Sequence, residues 1–355
     1  MLEKISRALT RKPKLVVLVA VLLLIPSVLG AAMTRINYDI LSYLPQDLDS
    51  AKGEALLEEP FHMAATTMLI VEGMPPAYTH QLQKEVEQVP GVSNAIWLSS
   101  LVGIQIPEEM LPEDIRDIFF SGDATMMIVQ YEQPGASETT MKSIEQVRSL
   151  CNKNCFLAGF SVFIKDTKDL ISKEMPLYVV MAAVLSIIAM CVTMESWLLP
   201  VALMLSIGLA ILYNFGSNIL LGEISFITQA IAAVLQLGVT MDYSIFLLDA
   251  FSREKQKGLS EEQAMINAID AAINSIFASS LTTVVGFLAL VSMKFTIGFD
   301  MGLVLAKGIV FSLITVLFFM PAMILKFSRW NDKTRHRPFL PSFRKFSEWV
   351  YRVRY

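Results

Sequence analysis

The strongest constraint on this chain is a set of six apolar stretches, each long enough to cross a bilayer as a helix. A membrane-spanning helix needs about 20 apolar residues, and all six stretches meet that length. The 355 residues are 54% hydrophobic and 17% charged, which is less charge than soluble domains usually carry. We therefore predict an α-helical polytopic membrane protein with six transmembrane helices, at residues 15–33, 176–194, 197–215, 224–250, 271–293 and 301–325.

The positions of Lys and Arg predict how these helices are oriented. Basic residues cluster before the first stretch, between the fourth and fifth, and after the sixth. Cytoplasmic loops are enriched in Lys and Arg, so both termini are expected in the cytoplasm and the protein in the cell (cytoplasmic) membrane. The first stretch is interpreted as an uncleaved anchor rather than a signal peptide, because its apolar run is long for a signal.

Residues 34–172 have a different charge balance from the rest of the chain. They contain 9 Lys/Arg and 20 Asp/Glu, a balance of −11, so the remaining residues carry +7. The acidic segment is therefore expected outside the cytoplasm. The predicted organisation is a cytoplasmic N-terminus (1–14), helix 1 (15–33), an extracytoplasmic domain (34–174), helices 2–6 (175–326) and a cytoplasmic tail (327–355).

The extracytoplasmic segment alternates strand-like and helix-like patterns. Strands are predicted near 67–72, 92–98, 124–132 and 156–160, and helices near 76–89 and 137–150. The order β-α-β-β-α-β is that of a ferredoxin-like α+β fold. Cys151 and Cys155 lie in this segment, where an oxidising compartment would permit a disulfide between them; two free thiols are the alternative.

A carboxylate lies inside the fourth predicted helix. Asp242 is followed by Tyr243 and is the only carboxylate deep within the predicted spans. An ionised Asp in a bilayer is costly, so a change of protonation there is a plausible function. Gln229, Gln236 and Tyr243 recur every seven residues, and Asp242 lies about 100° to one side of this stripe. We expect this face, with Asp242, to point inward, towards protein or water. Asp242 and Tyr243 are the candidate proton relay, with Gln236 as a relay or packing residue; a purely structural Asp is the alternative.

Two neighbouring predicted helices supply further relay candidates. Ser279, Thr282 and Thr283 belong to a stripe of small and hydroxyl residues, which equally suits close helix packing. Lys307 in the sixth predicted helix needs a carboxylate or water nearby, and Asp242 is the obvious candidate. At ~1.5 Å per residue the two differ in depth by about 15–18 Å, which argues against simple contact.

Motifs of soluble enzymes are absent from the sequence. There is no Walker A sequence, no HExxH and no GxSxG, and the three histidines are scattered outside the predicted spans. We therefore expect neither an enzyme nor a metal site. Basic patches interleaved with aromatic residues are also absent, which argues against a nucleic-acid partner.

Several segments resemble one transporter family. Residues 238–247 (GVTMDYSIFL) are similar to the fourth-helix motif of the MMPL group (mycobacterial membrane protein large) in the resistance-nodulation-division (RND) superfamily, and residues 37–45 and 280–287 and Pro321 fit as well. The resemblance covers nearly the whole chain. It implies a porter-type outer domain and a secondary active transporter that exports lipids, amphiphiles or hydrophobic compounds by proton antiport, with no cofactor beyond the proton gradient. It also implies that Asp242 and Tyr243 relay protons opposite an equivalent pair on a tenth helix, which this chain lacks.

The missing pair and the tail together predict a second half. Residues 2–11 resemble residues 343–352, with Lys, Ser and Arg at the same offsets. Because the first copy leads into a span, the tail is expected to lead into a second six-helix half, present in cis in the full-length protein or supplied by a homodimer partner. Residues 338–355 are predicted to form an amphipathic helix along the membrane, since Pro338 and Pro341 end the preceding helix.

Two other functions remain open. A SecF-like accessory subunit of protein export shares the plan of six spans with an outer domain. A sterol-sensing-type receptor would use the same bundle to bind lipid without pumping. Membrane lipids are the expected partners in every case, and an exporter would in addition bind a hydrophobic or amphiphilic substrate. Proton-coupled flux separates a pump from a receptor.

Overall fold

Two compact units make up the part of the chain that the structure describes. The computed structural model describes residues 12–58, 65–101, 112–194 and 196–334. One unit comprises residues 1–36 with 175–355, and the other comprises residues 37–174. The first unit contains six helices that are long and apolar enough to cross a membrane, except for the beginning of one of them, which lies in the second unit. The second unit is α+β. The prediction of a polytopic helical protein with six spans is thus confirmed.

The secondary structure follows the chain in this order. The helices are α1 Pro13–Met33, α2 Asp49–Glu58, α3 Pro76–Glu87, α4 Leu98–Leu101, α5 Glu113–Phe119, α6 Glu138–Leu150, α7 Phe160–Thr193, α8 Leu198–Ser217, α9 Phe226–Gln256, α10 Glu261–Ala289, α11 Ile297–Ile314 and α12 Met320–Lys333. The strands are β1 Arg35–Asn37, β2 Ala65–Glu72, β3 Val92–Ile96, β4 Phe120–Ser121, β5 Ala124–Tyr131, β6 Cys155–Ala158 and β7 Glu223–Ser225. A π-helical turn, Thr315–Phe319, joins α11 to α12 into one sixth span.

The α+β unit is built on one antiparallel sheet. Its strand order is β3–β5–β2–β6, with β4 paired to β5, and every neighbouring pair is antiparallel. Alternate side chains of β2 and β5 are buried, as a sheet with one covered face requires. Helices α3 and α6 pack against these side chains and share their core, which includes Leu69, Met127, Leu82, Val86 and Ile144.

Three of the six spans form the centre of the membrane unit. In the most apolar stretches of α8, α9 and the sixth span, 50%, 50% and 67% of residues are buried, against 11% in α1, α7 and α10. Tyr243, Leu247, Ala268, Ile309 and Val316 belong to one core cluster that joins α9, α10 and the sixth span. The outer three helices therefore present most of their apolar surface to whatever surrounds this unit.

Helix α1 crosses α8 in direct backbone contact. A Cβ atom added at Gly216 would lie 2.7 Å from the carbonyl carbon of Ser27, and one added at Gly30 would lie 3.0 Å from the carbonyl carbon of Gly216. The Tyr213 hydroxyl donates to the backbone carbonyl of Ala20 at 2.6 Å across the same pair of helices. Two glycines thus permit an approach that any side chain would prevent.

Several helices begin earlier than the apolar pattern predicts. Helix α7 begins at Phe160 rather than near residue 176, α10 at Glu261 rather than 271, and α11 at Ile297 rather than 301. In α10 the additional turns are polar, and Ser260 caps them by accepting from the Gln263 amide. Helix α12 continues to Lys333, into the predicted tail. The predicted amphipathic helix at 338–355 lies outside the described residues.

Candidate functional site

Asp242 and Tyr243 are neighbours in α9 but face different sides of the helix. Successive residues of an α-helix are ~100° apart around its axis. Tyr243 is buried, with 2% of its surface accessible, in the core cluster that contains Ile309 and Val316. Asp242 is exposed on the surface of the six-helix unit. The prediction that Asp242 faces into the bundle is therefore wrong for this unit; Tyr243 and Gln236 take the inward face.

The exposed surface of α9 around Asp242 is apolar. Ile231, Val234 and Ile245 are exposed on the same side of the helix as Asp242. Within the described residues, Asp242 makes no hydrogen bond and no ion pair. Its carboxylate is consequently available to a group that lies beyond this unit.

The hydroxyl of Tyr243 is buried without a partner among the described residues. A buried polar group left unpaired costs about 1–3 kcal/mol, so native structures rarely tolerate it without a reason. Thr240 lies one turn earlier on the same face of α9 and is fully buried. Thr240 belongs to a larger set of polar side chains in the bundle, and Tyr243 lies next to that set along the helix.

A continuous column of hydrogen-bonded side chains runs through the centre of the bundle. Thr240 Oγ1 donates to Ser312 Oγ at 2.6 Å, and Gln236 Nε2 donates to Ser312 Oγ at 3.2 Å and to the Gly308 carbonyl at 3.0 Å. Asn214 Nδ2 donates to Gln236 Oε1 at 3.0 Å. We call Asn214, Gln236, Thr240 and Ser312 the polar column; none is more than 2% accessible. The predicted candidate Gln236 therefore links α8, α9 and α11.

Lys307 lies at the end of the polar column that is nearer the start of α11. Its Nζ donates to the Asn214 carbonyl at 3.1 Å and to Asn218 Oδ1 at 2.5 Å. The structure forms no hydrogen bond or ion pair between Lys307 and Asp242, so the predicted pairing is not found. The lysine is instead held by neutral oxygens at the C-terminal end of α8.

Asp300 is a buried carboxylate that the sequence interpretation missed. It is 9% accessible, and its Oδ2 accepts hydrogen bonds from the Ser225 amide at 2.6 Å and from Thr228 Oγ1 at 2.8 Å. The predicted sixth span began at residue 301 and left this carboxylate just outside. The available signal was the seven-residue spacing to Lys307, which places both side chains on one face of α11.

The hydroxyl residues of α10 are not connected to Asp242 in the described structure. Thr282 Oγ1 donates to the Ala278 carbonyl at 2.9 Å, and Thr283 Oγ1 donates to the Ser279 carbonyl at 3.0 Å. Such bonds to the preceding turn satisfy the hydroxyl within its own helix. Ser279 and Thr282 are exposed on the surface of the unit. Their role as relay or packing residues remains a prediction.

The two cysteines of the α+β unit are free thiols in the structure. Burial, together with the neighbouring Cys155, raises the pKa of Cys151 from 9.0 to about 12. A thiol with such a pKa stays protonated and unreactive at neutral pH. Their pairing as a disulfide remains a prediction. Among the described residues, no group of three or more His, Cys, Asp or Glu side chains is placed to hold a metal ion.

Comparisons with known proteins cover most of the chain. Residues 73–353 match the family model described as MMPL family. The "Putative membrane protein MJ1562" of Methanocaldococcus jannaschii is 28% identical over 225 residues, which are 61% of this chain and 58% of that protein. The "Probable transport protein MmpL6" of Mycobacterium tuberculosis is 22% identical over 243 residues, 62% of this chain and 61% of that protein.

A longer relative matches over a smaller share of its length. The "Siderophore exporter MmpL5" of Mycobacterium tuberculosis is 20% identical over 237 residues, which are 61% of this chain and 24% of that protein. The matched part of the chain thus spans about three fifths of the first two relatives, at 58% and 61%, and about a quarter of this one, at 24%.

Proposed function

Because the chain belongs to the MMPL family, we propose that it is half of an exporter that uses the proton-motive force to move lipids, amphiphiles or other hydrophobic compounds. The observation that carries this proposal is the pair at the middle of α9, where Asp242 is exposed and Tyr243 has a buried hydroxyl without a partner among the described residues. A carboxylate within a membrane helix is costly when ionised and cheap when protonated. Its charge state is therefore coupled to proton supply.

The membrane potential supplies energy to such a site. Moving one elementary charge across the membrane yields about 2.3 kcal/mol per 100 mV. In the proposed cycle, Asp242 takes up a proton from the outer side, becomes neutral, and later releases the proton to the cytoplasm. Tyr243 orients the carboxyl group or passes the proton. The two charge states of Asp242 favour different packing of α9, and that difference drives antiport of the substrate.

A second six-helix half is the proposed partner of the surface around Asp242. Exposed Ile231, Val234 and Ile245 surround one carboxylate. Lipid would solvate the apolar side chains but not the carboxylate, whereas a protein partner can supply both an apolar surface and a polar group. The second half lies in cis in a longer protein, or a second copy of this chain supplies it.

The proposed orientation places both termini in the cytoplasm and residues 34–174 outside the cell (cytoplasmic) membrane. The distribution of Lys and Arg and the balance of −11 in residues 34–172 support it. We further propose that the α+β unit is a porter domain of ferredoxin-like type. The strand order β3–β5–β2–β6 with two helices in the connections supports that assignment. The name of MmpL5 as a siderophore exporter supports export as the activity.

The proposal is tested by replacing Asp242 with asparagine in inverted membrane vesicles. The vesicles are energised, and ΔpH is followed with a fluorescent acridine dye while a panel of amphiphiles is added. We expect amphiphile-dependent proton release in the wild type and none in Asp242→Asn, because the amide cannot carry the proton. Tyr243→Phe, which loses only a hydroxyl, should impair release less.

Asp249→Asn is the matched control for this experiment. Asp249 lies two turns further along α9, is also exposed, and forms an ion pair with Arg253. Its replacement should leave proton release intact. Normal release by Asp242→Asn would remove the relay role of Asp242, and an absence of release with every amphiphile would favour a receptor over a pump.

A further inference from the structure

Two buried polar atoms adjoin the polar column without a protein partner. Asn214 Oδ1 and the Tyr243 hydroxyl are fully enclosed and make no hydrogen bond within the described residues. Asn214 is itself a member of the column, and its Nδ2 bonds to Gln236. Tyr243 lies one turn beyond Thr240 on α9 and belongs to the core cluster that also contains Ile309 and Val316, whose sequence positions flank Ser312. Unsatisfied groups therefore occur at both ends of one hydrogen-bonded set.

Internal water is the ligand that these atoms suit. Buried water molecules in proteins typically make about three hydrogen bonds to polar groups that the protein leaves unpaired. A carbonyl oxygen such as Asn214 Oδ1 accepts from water, and a phenolic hydroxyl both donates and accepts. The hydroxyls of Ser312 and Thr240 between them can do the same, so the column offers successive sites for a chain of donors and acceptors.

We propose that the polar column binds internal water and is the route by which protons from the outer side reach Tyr243 and Asp242. This inference rests on the proposed function and on the orientation given above. Lys307, at the outer end of the column, gives a proton to the first water and is reprotonated from outside. The proton then passes along water and the hydroxyls of Ser312 and Thr240. It ends on the carboxylate of Asp242, which becomes neutral.

The amides of the column have a different task from the hydroxyls. Asn214 and Gln236 hold the three helices at the spacing that the column needs, and Gln236 Nε2 fixes Ser312 Oγ and the Gly308 carbonyl. The hydroxyls of α10 offer a competing route, but Thr282 and Thr283 bond to carbonyls of their own helix. Thr240 Oγ1 also reaches a carbonyl of its own helix, that of Gln236, but in addition it contacts Ser312 Oγ of α11. The interior of one half therefore carries the proton towards the surface where the other half would meet it.

Gly308 provides a precise way to disturb the column. A Cβ atom added there would lie 2.7 Å from Asn214 Nδ2 and 3.1 Å from Gln236 Oε1, so Gly308→Ala displaces the Asn214–Gln236 bond without removing a polar group. Gly208 in α8 has no atom within 4 Å of an added Cβ, which makes Gly208→Ala the matched control. Gln236→Met keeps the side-chain length and removes the amide, and it serves as a second variant if Gly308→Ala folds poorly.

The probe is X-ray radiolytic footprinting of the whole chain in detergent or lipid, since hydroxyl radicals formed from bound water oxidise the side chains next to it. Tyr131 is the internal reference, because it is 0% accessible and its hydroxyl is within 3.1 Å of Thr67 Oγ1. We expect Tyr243 to be oxidised several-fold faster than Tyr131. Gly308→Ala and Gln236→Met should each reduce the oxidation of Tyr243 several-fold, and Gly208→Ala should not.

The outcomes separate this inference from the proposed function. If Tyr243 is oxidised no faster than Tyr131 in the wild type, the column does not bind water next to Tyr243. Tyr243 oxidation unchanged in both Gly308→Ala and Gln236→Met shows that the column does not hold the water. If Gly308→Ala lowers the oxidation of Tyr243 but its vesicles release protons as the wild type does, the column is not the proton route. Asp242→Asn should leave Tyr243 oxidation intact, so loss of the relay role and loss of the column are distinguishable.

Discussion

Replacing Gly216 with alanine places one methyl group in the contact between α1 and α8. The new Cβ would lie 2.7 Å from the carbonyl carbon of Ser27, whereas ordinary contacts begin at 3.4 Å. The atom it meets belongs to the backbone, so no side-chain rotation relieves the clash. The two helices must separate by at least 0.7 Å, the difference between 3.4 Å and 2.7 Å.

We expect Gly216→Ala to lower the free energy of unfolding, because it overpacks a close contact. Inserting a methyl group where there is no room costs about 1–3 kcal/mol through strain and backbone shifts. The hydrogen bond from Tyr213 to the Ala20 carbonyl, 2.6 Å long, crosses the same contact and must lengthen. Alanine favours a helix over glycine by about 1 kcal/mol, which opposes this loss. Comparison with a second glycine in α8 removes that contribution.

Gly208→Ala supplies the comparison, because an added Cβ there meets no atom within 4 Å. Thermal unfolding of both variants is measured in the same detergent by circular dichroism and by loss of the monodisperse peak. We expect Gly216→Ala to be less stable than Gly208→Ala by about 1–3 kcal/mol. Equal stability of the two variants would refute direct backbone contact between α1 and α8.

Two further predictions concern Asp300 and Cys151. Asp300→Ala leaves the Ser225 amide and the Thr228 hydroxyl without their acceptor. Because hydrogen bonds to charged groups contribute about 1.5–3 kcal/mol, this variant should lose that much unfolding free energy in the same assay. A loss of stability no larger than that of Gly208→Ala would contradict these contacts. The raised pKa of Cys151, about 12, should keep it unreactive towards iodoacetamide at pH 8 in the reduced folded protein, with full reaction after denaturation, as measured by mass spectrometry. Because the folded state favours the neutral thiol, this group should leave stability constant below pH 9.0 and reduce it as the pH rises from 9.0 towards 12; rapid labelling of folded Cys151 at pH 8 would contradict this.

Hydropathy predicts the apolar middle of each span but not its polar ends. The sequence places six spans, and the structure contains six helices of sufficient length and apolar character. The polar first turns of α10 lack an apolar run, although the cap at Ser260 marks the start of this helix. Asp300 was missed for the same reason, because a carboxylate ends an apolar window. Its acceptance of hydrogen bonds from Ser225 and Thr228 depends on a contact between α9 and α11.

The orientation of Asp242 and Tyr243 in α9 was only partly predictable from the sequence repeat. The repeat of Gln236 and Tyr243 identified the buried face, and both residues are buried. Asp242, about 100° to one side of that repeat, was expected to point inward with it. Asp242 is exposed on the six-helix unit, and the proposed second half is the surface that would cover it.

The π-helical turn at Thr315–Phe319 changes the phase of the sixth span. A π turn contains one residue more than an α turn, so the side chains from Met320 to Phe327 are displaced by one position from where a regular continuation of α11 would place them. The sixth span therefore has two helical registers, one before the π turn and one after it. They meet at Thr315–Phe319, just after Ser312 of the polar column, where the helix contains one residue beyond its regular repeat.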